Sequence, residues 1–206
     1  MSSKGEKTRG DIVASAKALF YERGYDSTSF TDIVEAAGVY RGNIYHYFKT
    51  KDDILGAVIA EHLEDYRALL AGWEAASPDP KDRLAAFVDM IAAQAPALTR
   101  FGCPIGSLNT ELGKDRRDLQ GAALALFDLF RDWLAARFGE LGLDPGESQG
   151  LALHLLGRGQ GIAVLGHVYQ DPDLLRAETD RLRVWLAQFG PETPGVRPGP
   201  PGDAGF

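Results

Sequence analysis

Residues 29–51 read SFTDIVEAAGVYRGNIYHYFKTK. Two short helical patterns flank the Ala-Gly-Val triplet at 37–39. Ser29 and Asp32 have the spacing at which a hydroxyl and a carboxylate cap each other's backbone amides. Ile33 and Ala37, one turn apart, face inward, and Gly38 supplies the stop. A third helix is expected from about Arg41 to Phe48. Thr50 and Asp53 then form the capping pair of a fourth. Two short helices joined through a small residue make a helix-turn-helix.

The second of these helices is too polar for a core and too aromatic for a solvated surface. Ile44 and Phe48 lie one turn apart and form its packed face, with Ile12, Leu19, Phe20 and Ile33 as neighbours. Arg41, Gly42, Asn43, His46 and Tyr47 then point largely outward. Arginine pairs with guanine O6 and N7 in a major groove, and asparagine with adenine N6 and N7. Gly42 lets the backbone come close to a duplex. The tyrosine hydroxyls of Tyr45 and Tyr47, together with Lys49 and Lys51, suit phosphates. Thr50, as a cap, aims free amides of the next helix at a phosphate as well. Tyr40 stands where a capping residue is expected, and its side chain cannot cap as serine does.

Net charge at first argues against nucleic acid, because the 206 residues carry −7. The charge is unevenly placed. Residues 1–51 hold 8 Lys+Arg against 6 Asp+Glu, whereas residues 52–206 hold 14 against 23. A mildly basic head precedes an acidic body, and phosphate binding follows the local face. A hydrophobic fraction of 45% supplies a full core. No apolar run is long enough to span a bilayer, so no membrane association is expected. The polar N-terminus has no apolar signal-peptide core. The single cysteine, Cys103, fits a reducing compartment, and a cytoplasmic protein is expected.

Nearly every remaining segment reads as helix. Ile12, Ala16, Leu19, Phe20 and Arg23 keep helical spacing, with Thr8 and Asp11 as a capping pair and Gly24 as the stop. A long helix is expected over about 51–75, broken by SPDP at 77–80. Amphipathic segments follow at about 81–95, 119–138, 147–169 and 172–189. The tail PETPGVRPGPPGDAGF is too rich in Pro and Gly to offset its ordering entropy and is expected to be disordered. The fold class is therefore all-α. The expected division is a disordered N-terminus over 1–7, a three-helix helix-turn-helix domain over 8–50, a larger helical domain over 51–190 and a disordered tail over 191–206.

The stretch IVASAKALFYERGYDSTSFTDIVEAAGVYRGNIYHYFKTKDDILGAVI resembles the DNA-binding domain of the TetR family of bacterial transcriptional regulators. The LF-x-x-x-GY, IVEAAGV and IYHYF segments and the lysine that follows stand at the family's spacing, over roughly residues 8–60. The resemblance implies a homodimer, a repressor-type mechanism and a variable C-terminal ligand domain. By position it implies DNA contacts at Ser29, Thr31, Arg41, Gly42, Asn43, Tyr45, His46, Tyr47 and Lys51. Tyr40 departs from the small or polar residue common in the family. Its ring is expected to lie along the DNA backbone or to pack against the second helix.

The last two helices are expected to build the dimer. The 147–169 segment holds Gly150, Gly157, Gly159, Gly161 and Gly166, each costing roughly 1 kcal/mol of helix propensity relative to alanine. Such a cost is tolerable where backbones approach closely. Leu151, Leu155, Ile162, Leu165 and Tyr169 form one stripe, and Leu175, Leu182, Leu186 and Phe189 another. Two helices per subunit give a four-helix isologous interface, with intrachain packing as the alternative. A hydrophobic small-molecule effector is expected in a pocket lined by Phe87, Met90, Ile91, Phe101, Cys103, Leu108, Phe127, Phe130, Trp133 and His154. Aromatics at helical spacing are also what an ordinary core contains. Gln160 and Arg158 either orient a ligand or face solvent.

The short segment FGCPIGSLNTEL at 101–112 also resembles a stretch found in one branch of the family. Pro104 suits a first helical turn, which puts Cys103 at a helix N-terminus, where a thiolate is favoured. An electrophile- or oxidant-sensing regulator acting through Cys103 is thus an alternative, against the plain reading of a small buried hydrophobe. A ligand-independent DNA-binding protein is another. An enzyme is not expected. His154 and His167 have no metal-ligand spacing, and no HExxH, GxSxG or P-loop occurs. Neither metal nor cofactor is expected.

Overall fold

A computed structural model describes residues 3–189. The tail at 191–206, expected to be disordered, lies outside the described residues, as do residues 1 and 2. Among the described residues the regular structure is ten α-helices with no strand, so the chain is all-α. No helix among them is long and apolar enough to cross a membrane. The chain divides into two compact units. One comprises residues 1–67 and 104–127, the other 68–103 and 128–206.

In the first unit, α1 (Ser3–Arg23) starts earlier than the expected boundary at residue 8. Residues 3–7, expected to be disordered, are helical. Thr8 is therefore an interior residue rather than a cap, and its hydroxyl donates to the Lys4 carbonyl at 3.0 Å. Asp11 pairs with Lys7 at 2.8 Å, the i, i+4 arrangement that supports a helix surface. Gly24, with φ of 86°, ends α1 in the left-handed region, and its amide donates to the Phe20 carbonyl.

The capping pair at the start of α2 (Phe30–Ala36) is complete. The Asp32 amide donates to Ser29 Oγ at 3.1 Å, and the Ser29 amide to Asp32 Oδ2 at 2.7 Å. These bonds hold the Asp32 carboxyl below its usual range. Gly38, with φ of 63°, turns the chain. The helix expected over 41–48 is shorter. α3 covers Arg41–Ile44, and the chain then continues in turns. The His46 amide bonds Asn43 O and the Tyr47 amide bonds Ile44 O, the three-residue closure typical of a tightened helix end. α4 (Lys51–Ala76) opens with the expected Thr50–Asp53 pair, Asp53 N–H to Thr50 Oγ1 at 3.0 Å and Thr50 N–H to Asp53 Oδ2 at 2.9 Å. The unit also holds α7 (Pro104–Asp115) and the start of α8 (Arg117–Glu140).

In the second unit, α5 (Pro80–Ala93) starts at the Asp79 cap, and the break near Pro96 leaves a short α6 (Ala95–Phe101). α9 (Pro145–Tyr169) and α10 (Pro172–Leu186) follow, each with an aspartate cap and proline in its first turn. α6 packs on α9, and α10 packs on α5, α6 and α9. Phe138, Trp185 and Phe189 form a buried edge-to-face cluster.

The glycines of α9 separate into two sets. A Cβ added at Gly159 would lie 2.9 Å from Ile91 Cδ1, and one at Gly166 would lie 2.9 Å from Leu175 Cδ1 and 3.3 Å from its Cβ. These two glycines serve packing within the protomer. Gly150, Gly157 and Gly161 are exposed, and an added Cβ at any of them meets nothing within 4 Å. Leu153, Val164 and Val168 are also exposed, at 62%, 57% and 66%. Residues 150, 153, 157, 161, 164 and 168 follow steps of three and four along one side of the helix. The expected interface stripes are corrected in part, since Leu165 and Tyr169 are exposed and Leu151 is half-buried, whereas the others turn inward. Leu175, Leu182, Leu186 and Phe189 are all buried within the protomer, as are Leu155 and Ile162. The residues α10 offers to the outside include Val184, which is 67% exposed. Gly166→Val is expected to destabilise the protomer by about 2 kcal/mol through overpacking against Leu175. Gly72→Ala, exposed in α4 with nothing within 4 Å of the added Cβ, is expected to raise stability by up to ~1 kcal/mol. Urea denaturation of the two variants checks the contrast.

Candidate nucleic-acid interface

The site is built on two buried side chains. Ile44 is fully buried and Phe48 is 4% exposed. They fix the short α3 to the core of the first unit, beside buried Ile33, Ile12 and Phe20. Around them Arg41, Gly42, Asn43, Tyr45 and His46 are exposed, and Tyr47 is half-buried. The outward set read from the sequence is thus carried on one rigid turn. Ser29 is exposed with its hydroxyl engaged as the α2 cap, and Thr31 is half-buried.

Tyr40 precedes α3 with extended backbone, φ −60° and ψ 130°, and its side chain makes no cap bond. The ring lies against Gly42. A Cβ at position 42 would sit 3.2 Å from Tyr40 Cε1. Tyr40 is 79% exposed, so it is not packed beneath the second helix. Tyr45 stacks on Phe30 with ring centroids 5.3 Å apart and remains 45% exposed. The exposed Lys49 ammonium donates to the Tyr45 carbonyl.

Lys51 differs from the sequence expectation. Its ammonium donates to the carbonyls of Tyr25 at 2.8 Å and Thr28 at 3.0 Å, and lies 4.0 Å from the centre of the Tyr25 ring. The side chain is half-buried and ties α4 to the segment between α1 and α2. The carbonyls it meets belong to the turn that follows α1, and a cation there adds a charge-assisted bond to each.

A polar cluster surrounds the same segment. Tyr25, 1% exposed, donates its hydroxyl to Asp52 Oδ1. Arg116 donates to Asp52 Oδ2 at 2.6 Å and to Asp118 at 3.2 Å. Glu111 accepts the Tyr25 amide at 2.9 Å and the Asp26 amide at 2.8 Å. Arg116 and then Tyr25 hold the Asp52 carboxyl below its usual range. Burial, then the Asp52 carboxylate, push the Tyr25 hydroxyl upward. Both effects keep the proton on tyrosine and the charge on aspartate. Tyr25, Asp52, Glu111 and Arg116 were not expected at the site, because partners 27 to 86 residues apart in the chain leave no local pattern. Nor was Arg9, exposed on α1, whose guanidinium carbon lies 5.1 Å from the centre of the Phe48 ring.

The expected effector residues are distributed over both units. In the second unit a groove of about 390 Å³ is lined by Leu69, Trp73, Ala86, Asp89, Met90, Ala93 and Gln94. Met90 alone of the expected set lines it. Phe87 and Phe130 are buried against each other edge to face, and Ile91 is buried beside Gly159. Trp133 donates to Glu74 Oε1 at 2.8 Å and packs near Trp73. His154 lies 5.1 Å from Trp185, and burial followed by the Arg158 charge lowers its pKa. Half-buried Phe101 lies under the Arg100 guanidinium. Cys103 is half-buried, and Gln160 Nε2 donates to its sulfur at 3.4 Å. Arg158 pairs with Glu178 at 3.7 Å. Leu108, buried, and Phe127, half-buried, belong to the first unit. Packing accounts for the aromatic spacing in most of this set. No cluster of His, Cys, Asp and Glu suited to a metal ion occurs among the described residues.

Comparison with known proteins gives a consistent picture. Residues 12–58 match the family model described as bacterial regulatory proteins, tetR family. The chain is 28% identical over 186 residues to an uncharacterized HTH-type transcriptional regulator in the lacX 3′ region of Lactococcus lactis subsp. lactis, covering 89% of this chain and 95% of the relative. It is 34% identical over 105 residues to the HTH-type transcriptional repressor DhaR of Mycobacterium sp. strain GP1, covering 50% of this chain and 52% of that protein. A TetR transcriptional regulator from Chloroflexus aurantiacus superposes with a TM-score of 0.79 at 27% identity, covering 90% of this chain and 96% of that one. These relatives are regulators, the class the sequence reading chose over an enzyme.

Because Lys51 donates to the carbonyls of both Tyr25 and Thr28, Lys51→Ala is expected to lower unfolding stability by about 1–3 kcal/mol. Chemical denaturation checks this, and an unchanged midpoint would put the ammonium back among the phosphate contacts.

Proposed function

We propose that this chain, which belongs to the TetR family of bacterial transcriptional regulators, acts as a repressor that binds a palindromic operator as a homodimer and is released by a small hydrophobic effector. DNA binding rests on the helix-turn-helix. The observation that carries the reading is the exposed set Arg41, Gly42, Asn43 and His46 held on the buried pair Ile44 and Phe48. Arg41 and Asn43 read base edges, with His46 beside them. Tyr45, Tyr47, Lys49 and Arg9 suit the phosphates that position the helix. The repressor name of the DhaR relative supports the sign of regulation.

The dimer reading is supported by the exposed stripe on α9. Gly150, Gly157 and Gly161 cost helix propensity and serve nothing inside the protomer. A close helix-helix approach across a two-fold axis gives them a purpose, with Leu153, Val164 and Val168 filling the spaces between. Two recognition helices then meet half-sites about one helical turn apart. The groove bounded by Trp73 and Met90 is the proposed effector site, and its apolar walls suit a lipophilic compound. An effector releases the operator only by the difference in its affinity for the two conformations. The proposed location is the cytoplasm, where the DNA is.

Selection of bound sequences from random duplexes tests the DNA reading directly, and failure to enrich any sequence would overturn it. Arg41→Ala is expected to lose about 1–3 kcal/mol of discrimination at one base pair of each half-site while the other positions keep theirs. Val168→Glu is expected to give monomers in sedimentation velocity, with the operator affinity falling accordingly; a persistent dimer would place the interface elsewhere.

A further inference from the structure

We infer that Tyr40 reads a thymine in each operator half-site through contact of its ring with the C5-methyl group. The inference rests on the proposed DNA-binding role and extends it to a residue that makes base selection partly apolar.

Tyr40 contributes little to the fold that carries it. It gives no side-chain cap to α3, where serine would have supplied one. Its 79% exposure is the highest among the exposed large hydrophobic residues of the described chain. Its hydroxyl makes no hydrogen bond among the described residues. A large aromatic surface left open, with its polar tip unused, is a binding feature rather than a packing one.

The ring is nevertheless placed. Its Cε1 lies 3.2 Å from where a Cβ of residue 42 would be, so it rests on the bare Gly42 backbone. Glycine at 42 thus has a second purpose besides close approach to a duplex. It provides the flat site on which the ring lies. The neighbours Arg41, Asn43 and His46 are exposed on the same short stretch. A face that reaches base edges with Arg41 and Asn43 carries the Tyr40 ring to the same groove. There the thymine methyl is the apolar group on offer, and apolar side chains read it. The Cδ1–Cε1 edge of the ring faces residue 42, at 3.5 and 3.2 Å from where a Cβ there would lie.

The test uses the full-length protein and the duplex it enriches from a random pool. Each thymine of the half-site is replaced in turn by deoxyuridine, which removes the methyl alone. One replacement is expected to weaken wild-type binding roughly three- to fivefold, the worth of one buried methyl-sized group. Tyr40→Ser is expected to bind the thymine and uracil duplexes equally, whereas Tyr40→Phe keeps the preference for thymine. Circular dichroism of both variants is expected to match the wild type, since the residue is exposed. The inference is overturned if no thymine is methyl-sensitive, if the sensitivity persists in Tyr40→Ser, or if Tyr40→Phe loses it as serine does. Enrichment of no duplex by the wild type would instead overturn the DNA-binding reading itself.

Discussion

The Asp52 carboxylate receives the Tyr25 hydroxyl and the Arg116 guanidinium. The recognition turn depends on this meeting. Tyr25 begins the segment that joins α1 to α2, Asp52 lies in the first turn of α4, and Arg116 lies between α7 and α8. Glu111 adds two backbone amides from the same segment, and Lys51 adds two carbonyls. A loop that would otherwise leave its polar groups to water is satisfied from three directions within one unit. The orientation of α2 against α1 follows from that loop, and α3 follows α2 through a turn at Gly38. Ionic hydrogen bonds of this kind are directional in a way that packing of Ile33 and Ile44 is not. Burial makes the unit cohere, and the cluster decides the angle at which it does so.

Much of the fold was legible because it is written in short-range patterns. Capping pairs at Ser29–Asp32 and Thr50–Asp53 are three residues apart, and both appear as read. Ile44 and Phe48 one turn apart gave the buried face correctly. The failures have a common physical cause. Thr8 and Asp11 have capping spacing, but spacing alone does not tell a helix start from a helix interior. An i, i+4 pair between Lys7 and Asp11 uses the same carboxylate the other way. Lys51 looked like a phosphate ligand because a lysine near a recognition helix usually is one. Its partners, the carbonyls of Tyr25 and Thr28, are named by tertiary structure and by nothing in the local sequence. For the effector residues the pattern does not decide, since a helical stripe of Phe and Trp reads the same whether it lines a core or a cavity.

Helix α9 carries two messages in one glycine-rich sequence. Gly159 and Gly166 admit Ile91 and Leu175 from within the protomer, whereas Gly150, Gly157 and Gly161 admit nothing there. Composition lumps these together, and periodicity separates them only once one inward residue is known. The apolar residues divide in the same manner. Leu155 and Ile162 point to the core, and Leu153, Val164 and Val168 do not. A helix with apolar groups on both sides has little net amphipathicity, which is why its orientation could not be inferred from the pattern alone.

The contact between Tyr40 and Gly42 also links the histories of the two positions. A side chain at 42 would find its first carbon 3.2 Å from the aromatic ring, so the exposed ring would have to shift by a few tenths of an ångström to admit it. The effect of a substitution at 42 is therefore tied to the residue at 40, and the two positions are expected to be non-additive.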